Sequence, residues 1–170
     1  STLHIQSEVK NHQAVPLLKN SPPVIDRIGL DLYVNDLSIK EDYFWLKALI
    51  WPEHHERREL FDQASKCIKK HQVHLIEGDG VELLTDVSER ISKNSILCIF
   101  HTHVANQMPV KVKQKLLNVV EEIGQKRDVF HLYNNIWDRL LHIDYYLNGV
   151  KHQEVIGETE GHGKWFEWRL

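Results

Sequence analysis

The chain has 170 residues, with 21 lysines and arginines against 24 aspartates and glutamates, and a net charge of −3. That length predicts one domain able to bury a core without staples, and 42% hydrophobic with 26% charged residues excludes wholesale disorder. The near balance of charge argues against a dedicated nucleic-acid binder, and no apolar run approaches the ~20 residues that cross a bilayer.

Two features stand out. There are 12 histidines, an excess for this length, and the chain opens on Ser1-Thr2 without an initiator methionine. Cys67 and Cys98 are the two cysteines; both sit in apolar surroundings and read as small buried hydrophobes, so the expected setting is a reducing, cytoplasmic one.

Residues 3–9 alternate apolar and polar side chains, as a half-exposed strand does. A polar stretch through Pro16, Pro22 and Pro23 reads as a loop, and residues 28–34 as a second extended segment. Ser38 followed by Glu41 has the spacing of a capping box opening a helix with Tyr43, Phe44, Leu46, Leu49 and Ile50. Pro52 suits the first turn of the next helix, whose apolar face would be Leu60, Ala64, Cys67 and Ile68.

A regular rhythm follows. Residues 73–76 predict a strand broken at Gly78-Asp79-Gly80; Val81, Leu84, Val87 and Ile91 recur at helical spacing. Residues 96–100 form a continuous apolar run of the kind buried on both sheet faces. Pro109 opens a helix with the stripe Val112, Leu116, Val119, Val120 and Ile123, and residues 129–133 predict another strand. Strand–helix–strand–helix–strand implies parallel pairing with right-handed crossovers. Asn148-Gly149 between extended segments predicts a two-residue hairpin, and a last strand is expected over residues 164–169.

In an open parallel sheet, ligands bind beyond the carboxyl ends of the strands. That rule selects Asp31 and Asp36, Glu77-Gly78-Asp79, His101-Thr102-His103 and Asn134-Asn135. A carboxylate there can accept from ribose hydroxyls, although Asp79 also suits a plain turn or helix cap. His101 and His103, two apart at a strand end, would point the same way and could share a metal; His101 alone could be a general base or a structural histidine. In Trp51-Pro52-Glu53-His54-His55-Glu56-Arg57-Arg58, either arginine could clamp a carboxylate or phosphate, the alternative being a solvated first turn. Lys111, Lys113 and Lys115 read as the wet face of a helix. No GxxxxGK[ST] loop and no GxSxG elbow occurs.

Several segments together resemble a family. Arg27-Ile28-Gly29-Leu30-Asp31-Leu32 with Asp36-Leu37, Trp45-Leu46-Lys47-Ala48-Leu49-Ile50-Trp51-Pro52-Glu53 with Arg57, Gly78-Asp79, Phe100-His101 and the closing Gly161-His162-Gly163-Lys164-Trp165-Phe166-Glu167-Trp168 are similar to the uncharacterised bacterial family DUF 2332 over nearly the whole chain. Typical members of that family are about twice as long, and their further N-terminal half includes a glycine-bearing strand–loop motif that looks like the cofactor loop of S-adenosylmethionine-dependent methyltransferases. The resemblance implies one truncated, Rossmann-like α/β domain over residues 1–170. Its mostly parallel sheet would be of methyltransferase type, lack its first strand and close with an antiparallel hairpin; Ser1-Thr2 would mark a processed or truncated start.

Under the same resemblance, Asp31 stands for the ribose-binding acid, Gly78 and Asp79 for the adenine side of an S-adenosylmethionine site, and His101 for the base facing substrate. Trp51, Glu53, Arg57 and His162 would contact that substrate. The competing readings are a non-catalytic binding module on the same fold and a metal-dependent hydrolase using His101 and His103. An unpaired sheet edge would favour a homodimer.

Overall fold

The structure, a computed structural model, describes residues 3–11, 15, 16, 18–20, 22–71 and 73–170. Ser1 and Thr2 lie outside the described residues. Two compact units are present: one comprises residues 23–80 with residues 3–5, the other residues 81–170 with the described residues between 6 and 22. Among the described residues, no helix is long and apolar enough to cross a membrane.

The first unit is built on two short parallel strands, β2 (Ile28–Asp31) and β3 (His74–Glu77), in register from Ile28↔His74 to Asp31↔Glu77; β1 (Glu8–Val9) belongs to the second unit. Parallel strands need a long crossover, and here it contains α1 (Lys40–Ala48) and α2 (His55–Ile68). The expected capping box does not form. Ile39 occupies the N-cap of α1, so Ser38 is one residue too early. Asp36 Oδ1 instead accepts from the Ser38 amide at 2.7 Å, and Asp42 Oδ2 from the Asp36 amide at 2.8 Å.

Pro52 and Glu53 also fall ahead of their helix, which starts at His55. The inward row of α2 runs through Phe61, Asp62 and Ser65, while Leu60 and Ile68 are exposed. The row is polar for a visible reason. Asp62 accepts from Lys47 Nζ at 2.7 Å and from the Tyr43 hydroxyl at 2.6 Å, and these two donors hold its carboxyl below the usual range. Arg58 Nη1 donates to the carbonyls of Lys47 and Ile50, at 3.3 and 3.0 Å, satisfying orphan groups at the end of α1.

The second unit contains a four-stranded sheet in the order β4-β5-β6-β7. β4 (Leu97–His101) and β5 (Val129–Tyr133) are parallel, joined through α4 (Val110–Gly124). β6 (Leu141–Leu147) and β7 (Val150–Gly157) complete it as an antiparallel meander. The predicted hairpin is present at Asn148-Gly149, with φ of 52° and 77°, the two positive values that a mirror-image turn demands. The core gathers Val81, Leu84 and Val87 of α3 (Gly80–Arg90), Leu116, Val120 and Ile123 of α4, and Val129 and Tyr146 of the sheet.

Two close fits tie helices to neighbours. A Cβ at Gly124 would overlap the ring of Tyr146, so only glycine lets α4 cross β6 there. Arg127 clamps the end of α3: Nη1 donates to the carbonyls of Ser88 and Ile91 at 3.0 Å each, and Nη2 to those of Ser92 at 2.9 Å and Ser95 at 2.6 Å.

β4 departs from its expected double burial. It is the edge of the sheet, and period-two alternation turns Leu97, Ile99 and His101 inward while Cys98 and Phe100 face out, Phe100 73% exposed. Cys98 is therefore an exposed thiol. The tail also differs from expectation. Only Trp165–Phe166 forms a strand, β8, and it pairs in parallel with β1 (Glu8–Val9) outside the main sheet. Asn11 secures this pairing by accepting from the Trp168 amide at 2.8 Å and donating to the Trp168 carbonyl.

Candidate functional site

Each unit ends a parallel strand pair in a polar loop, where ligands of open α/β sheets sit. In the first unit Asp31 and Glu77 are register partners at the carboxyl ends of β2 and β3. The chain turns directly afterwards: the Gly78 amide donates to the Asp31 carbonyl at 2.8 Å, and Gly78 has a φ of 146° that L side chains rarely adopt. Asp79 follows, and Gly80 starts α3. Each carboxylate spends one oxygen on the backbone, Asp31 Oδ1 on the Tyr33 amide at 3.1 Å and Glu77 Oε2 on the Val34 amide at 3.2 Å. Among the described residues no hydrogen bond engages Asp31 Oδ2 or Glu77 Oε1.

In the second unit, His101 ends β4 and Tyr133, its register partner, ends β5. Alternation puts His101, His131, Tyr133, His142 and Asp144 on one sheet face. His131 is 0% exposed, and its Nε2 stands 3.1 Å from His101 Nε2. One ring must donate and the other accept, which requires an unprotonated nitrogen between them. Burial, with His101 adding to it, pushes His131 down to about 3, and burial lowers His101 as well. Tyr133 stacks on His131 at 4.5 Å and on His142 at 5.2 Å between ring centroids. Its hydroxyl donates to Asp144 Oδ2 at 3.3 Å, which also accepts from Gln153 Nε2 at 3.0 Å. His101 Nδ1, His131 Nδ1 and Asp144 Oδ1 are buried without a hydrogen-bond partner among the described residues.

Beyond these strand ends lies a cavity of about 510 Å³, bordered by His103, Lys113, Asn134, Asn135, Trp137 and Arg139 among others, a size in the range of small-molecule sites. Asn134 is buried, and its Oδ1 accepts from the His103 amide at 2.9 Å. Lys113 is not on a wet face: its Nζ donates to the carbonyls of Asn135 and Ile136, at 3.2 and 2.8 Å, and fixes the loop.

A family model described as an uncharacterized protein conserved in bacteria (DUF2332) matches residues 1–168. The chain belongs to the DUF2332 family. No curated protein and no solved structure shows a match.

This DUF2332 chain brings Asp31 and Gly78 together, with Asp79 next in the turn. Trp51, Glu53 and Arg57 are exposed between α1 and the first turn of α2, and it is Arg58, not Arg57, that makes the structural contacts. His162 is exposed in the turn before β8, its amide donating to Glu160 Oε2 at 2.8 Å. His101 and His103 are not both on the strand. The strand stops at His101, and His103 has a left-handed φ of 63° with its Nδ1 accepting from Asn135 Nδ2 at 3.3 Å. No group of three metal-ligating side chains occurs among the described residues.

Sequence reasoning passed over His131, Arg139 and the pairing of Glu77 with Asp31, and read Lys113 as part of a wet helix face. For His131 a signal existed, because Val129, His131 and Tyr133 alternate with Phe130 and Leu132. For Lys113 and Arg139 none did, since their partners or neighbours come from other segments.

Proposed function

We propose that this DUF2332 chain carries a nucleoside-type cofactor at the carboxyl ends of β2 and β3, and that the cofactor is S-adenosylmethionine in a methyl-transfer reaction on a substrate still to be identified. One observation carries the reading: Asp31 and Glu77 are register partners, each with one carboxylate oxygen left over. Two adjacent acceptors suit the vicinal hydroxyls of a ribose, and the glycines at 78 and 80 let a ligand come close to the backbone of the turn. The residues present therefore fit the group, with Asp31, Glu77, Gly78 and Asp79 as its holders.

When bound, S-adenosylmethionine supplies an electrophilic methyl group. The protein's own contribution to such a reaction is positioning, and Trp51, Glu53 and Arg57 of the same unit are exposed. In the second unit, burial holds the His101 imidazole toward its unprotonated form, and its Nδ1 is itself buried. A second reading, a non-catalytic binding module on the same fold, is favoured by the His101–His131 contact, which is also what a purely structural histidine would make.

Calorimetric titration of S-adenosylmethionine into the whole chain tests the reading. Saturable binding is expected, weakened at least tenfold by Asp31→Asn and by Glu77→Gln, with melting temperatures unchanged because both side chains are exposed. Absence of binding, or binding indifferent to both substitutions, rejects the cofactor site and leaves the binding module.

A further inference from the structure

The 510 Å³ cavity of the second unit is lined by a loop frame that stands apart from the proposed cofactor turn. Its frame is fixed from several sides. Two adjacent strand exits adopt left-handed backbone at non-glycine residues, His103 with φ 63° and Asn135 with φ 61°, a strained arrangement that surrounding contacts must hold. Those contacts are the Asn134 side chain on the His103 amide, the Asn135 amide on the His103 ring, and Lys113 on the loop carbonyls.

Against this fixed frame, two lining side chains stand open. Trp137 is 57% exposed, and Arg139 is exposed with no hydrogen bond or ion pair among the described residues. The charges are unequal. Lys113 and Arg139 line the cavity together with Asp138, whose Oδ1 already accepts from His142 Nε2 and from the Leu140 amide, each at 2.8 Å. Lys113 is met by carbonyls rather than a carboxylate, so the cavity keeps an uncompensated positive charge. A guanidinium with its donors open favours a carboxylate or phosphate, and an open indole favours a flat ring.

We propose that this cavity binds a small molecule joining a flat ring to a carboxylate or phosphate, with the anion on Arg139 and the ring on Trp137. Benzoate, phenyl phosphate, inorganic phosphate and benzyl alcohol serve as probes, followed by amide and indole shifts of the 15N-labelled chain. The expected result is saturable shifts at Asn134, Asn135 and Trp137, with benzoate or phenyl phosphate binding at least tenfold more tightly than either benzyl alcohol or inorganic phosphate. Arg139→Gln removes that advantage over benzyl alcohol, and Trp137→Ala removes the advantage over inorganic phosphate; both positions are exposed, so the fold is retained. No saturable shifts, equal affinity for the neutral and anionic probes, or an Arg139→Gln protein that binds unchanged overturns the proposal. These readouts use neither S-adenosylmethionine nor Asp31, so the two readings fail separately.

Discussion

His101 and His131 meet Nε2 to Nε2 at 3.1 Å on the inner face of the four-stranded sheet, and neither ring can take a proton on that nitrogen pair without breaking the bond. The contact joins β4 to β5 at the place where both strands approach the polar loops.

The first prediction concerns acid. His131 has a folded-state pKa of about 3 against 6.5 for the free side chain, because burial disfavours its charged form. The unfolded chain therefore takes up the proton first as pH falls. The stabilisation is fully present above about pH 6.5 and is lost progressively toward pH 3, so stability rises with pH across that window. Between about pH 6.5 and pH 5, before most carboxylates titrate, the loss is about 1–2 kcal/mol. Urea unfolding at a series of pH values measures it; a flat profile over that interval would show that the ring is not held neutral by the fold.

Arg127 is the second. Its guanidinium donates to the carbonyls of Ser88, Ile91, Ser92 and Ser95 at the end of α3. Arg127→Gln leaves most of these acceptors unmatched and is expected to cost about 2–4 kcal/mol. Chemical denaturation gives the number, and a change below about 0.5 kcal/mol contradicts the clamp.

Gly124 supplies a test in which two effects oppose. Alanine is better than glycine inside a helix by about 1 kcal/mol, but a Cβ here runs into the Tyr146 ring, and overpacking costs about 1–3 kcal/mol. The clash is expected to win, making Gly124→Ala destabilising. On a Tyr146→Ala background the same substitution should cost less, a coupling that a double-mutant cycle reads.

The β1–β8 pairing depends on Asn11, which holds both the amide and the carbonyl of Trp168. Asn11→Ala is expected to speed hydrogen exchange at the Trp168 amide and at Lys10, whose amide donates to the Phe166 carbonyl, while exchange in β5 stays unchanged. Equal protection in both proteins would mean that Lys10 stacking on Trp165, with the cation 3.9 Å from the ring centroid, suffices alone.

Much of this fold was legible because local signals decide it. Period-two runs marked β3, β5 and β6, helical spacing marked α3 and α4, and Asn148-Gly149 marked the hairpin turn. What escaped depends on neighbours. An apolar run cannot say that β4 lies at an edge and leaves Phe100 outward, because edge position is set by strand order. Likewise, Ser38 and Glu41 have capping spacing, but Asp36 and Asp42 take the backbone groups first. At the candidate sites the strand-end rule selected Asp31 and His101, which end β2 and β4, and Gly78, which follows β3 in the turn. It could not show that Glu77 faces Asp31 or that His131 faces His101, since both are facts of register between strands distant in sequence.

The proposal of a nucleoside-type cofactor at β2 and β3 is tested most directly by mapping where S-adenosylmethionine touches the chain. Backbone amide shifts of the 15N-labelled protein, followed through saturation, should change first at Asp31, Gly78, Asp79 and Gly80 and follow one dissociation constant. Saturable shifts absent from that turn, or no shifts at any concentration reached, would contradict the cofactor site.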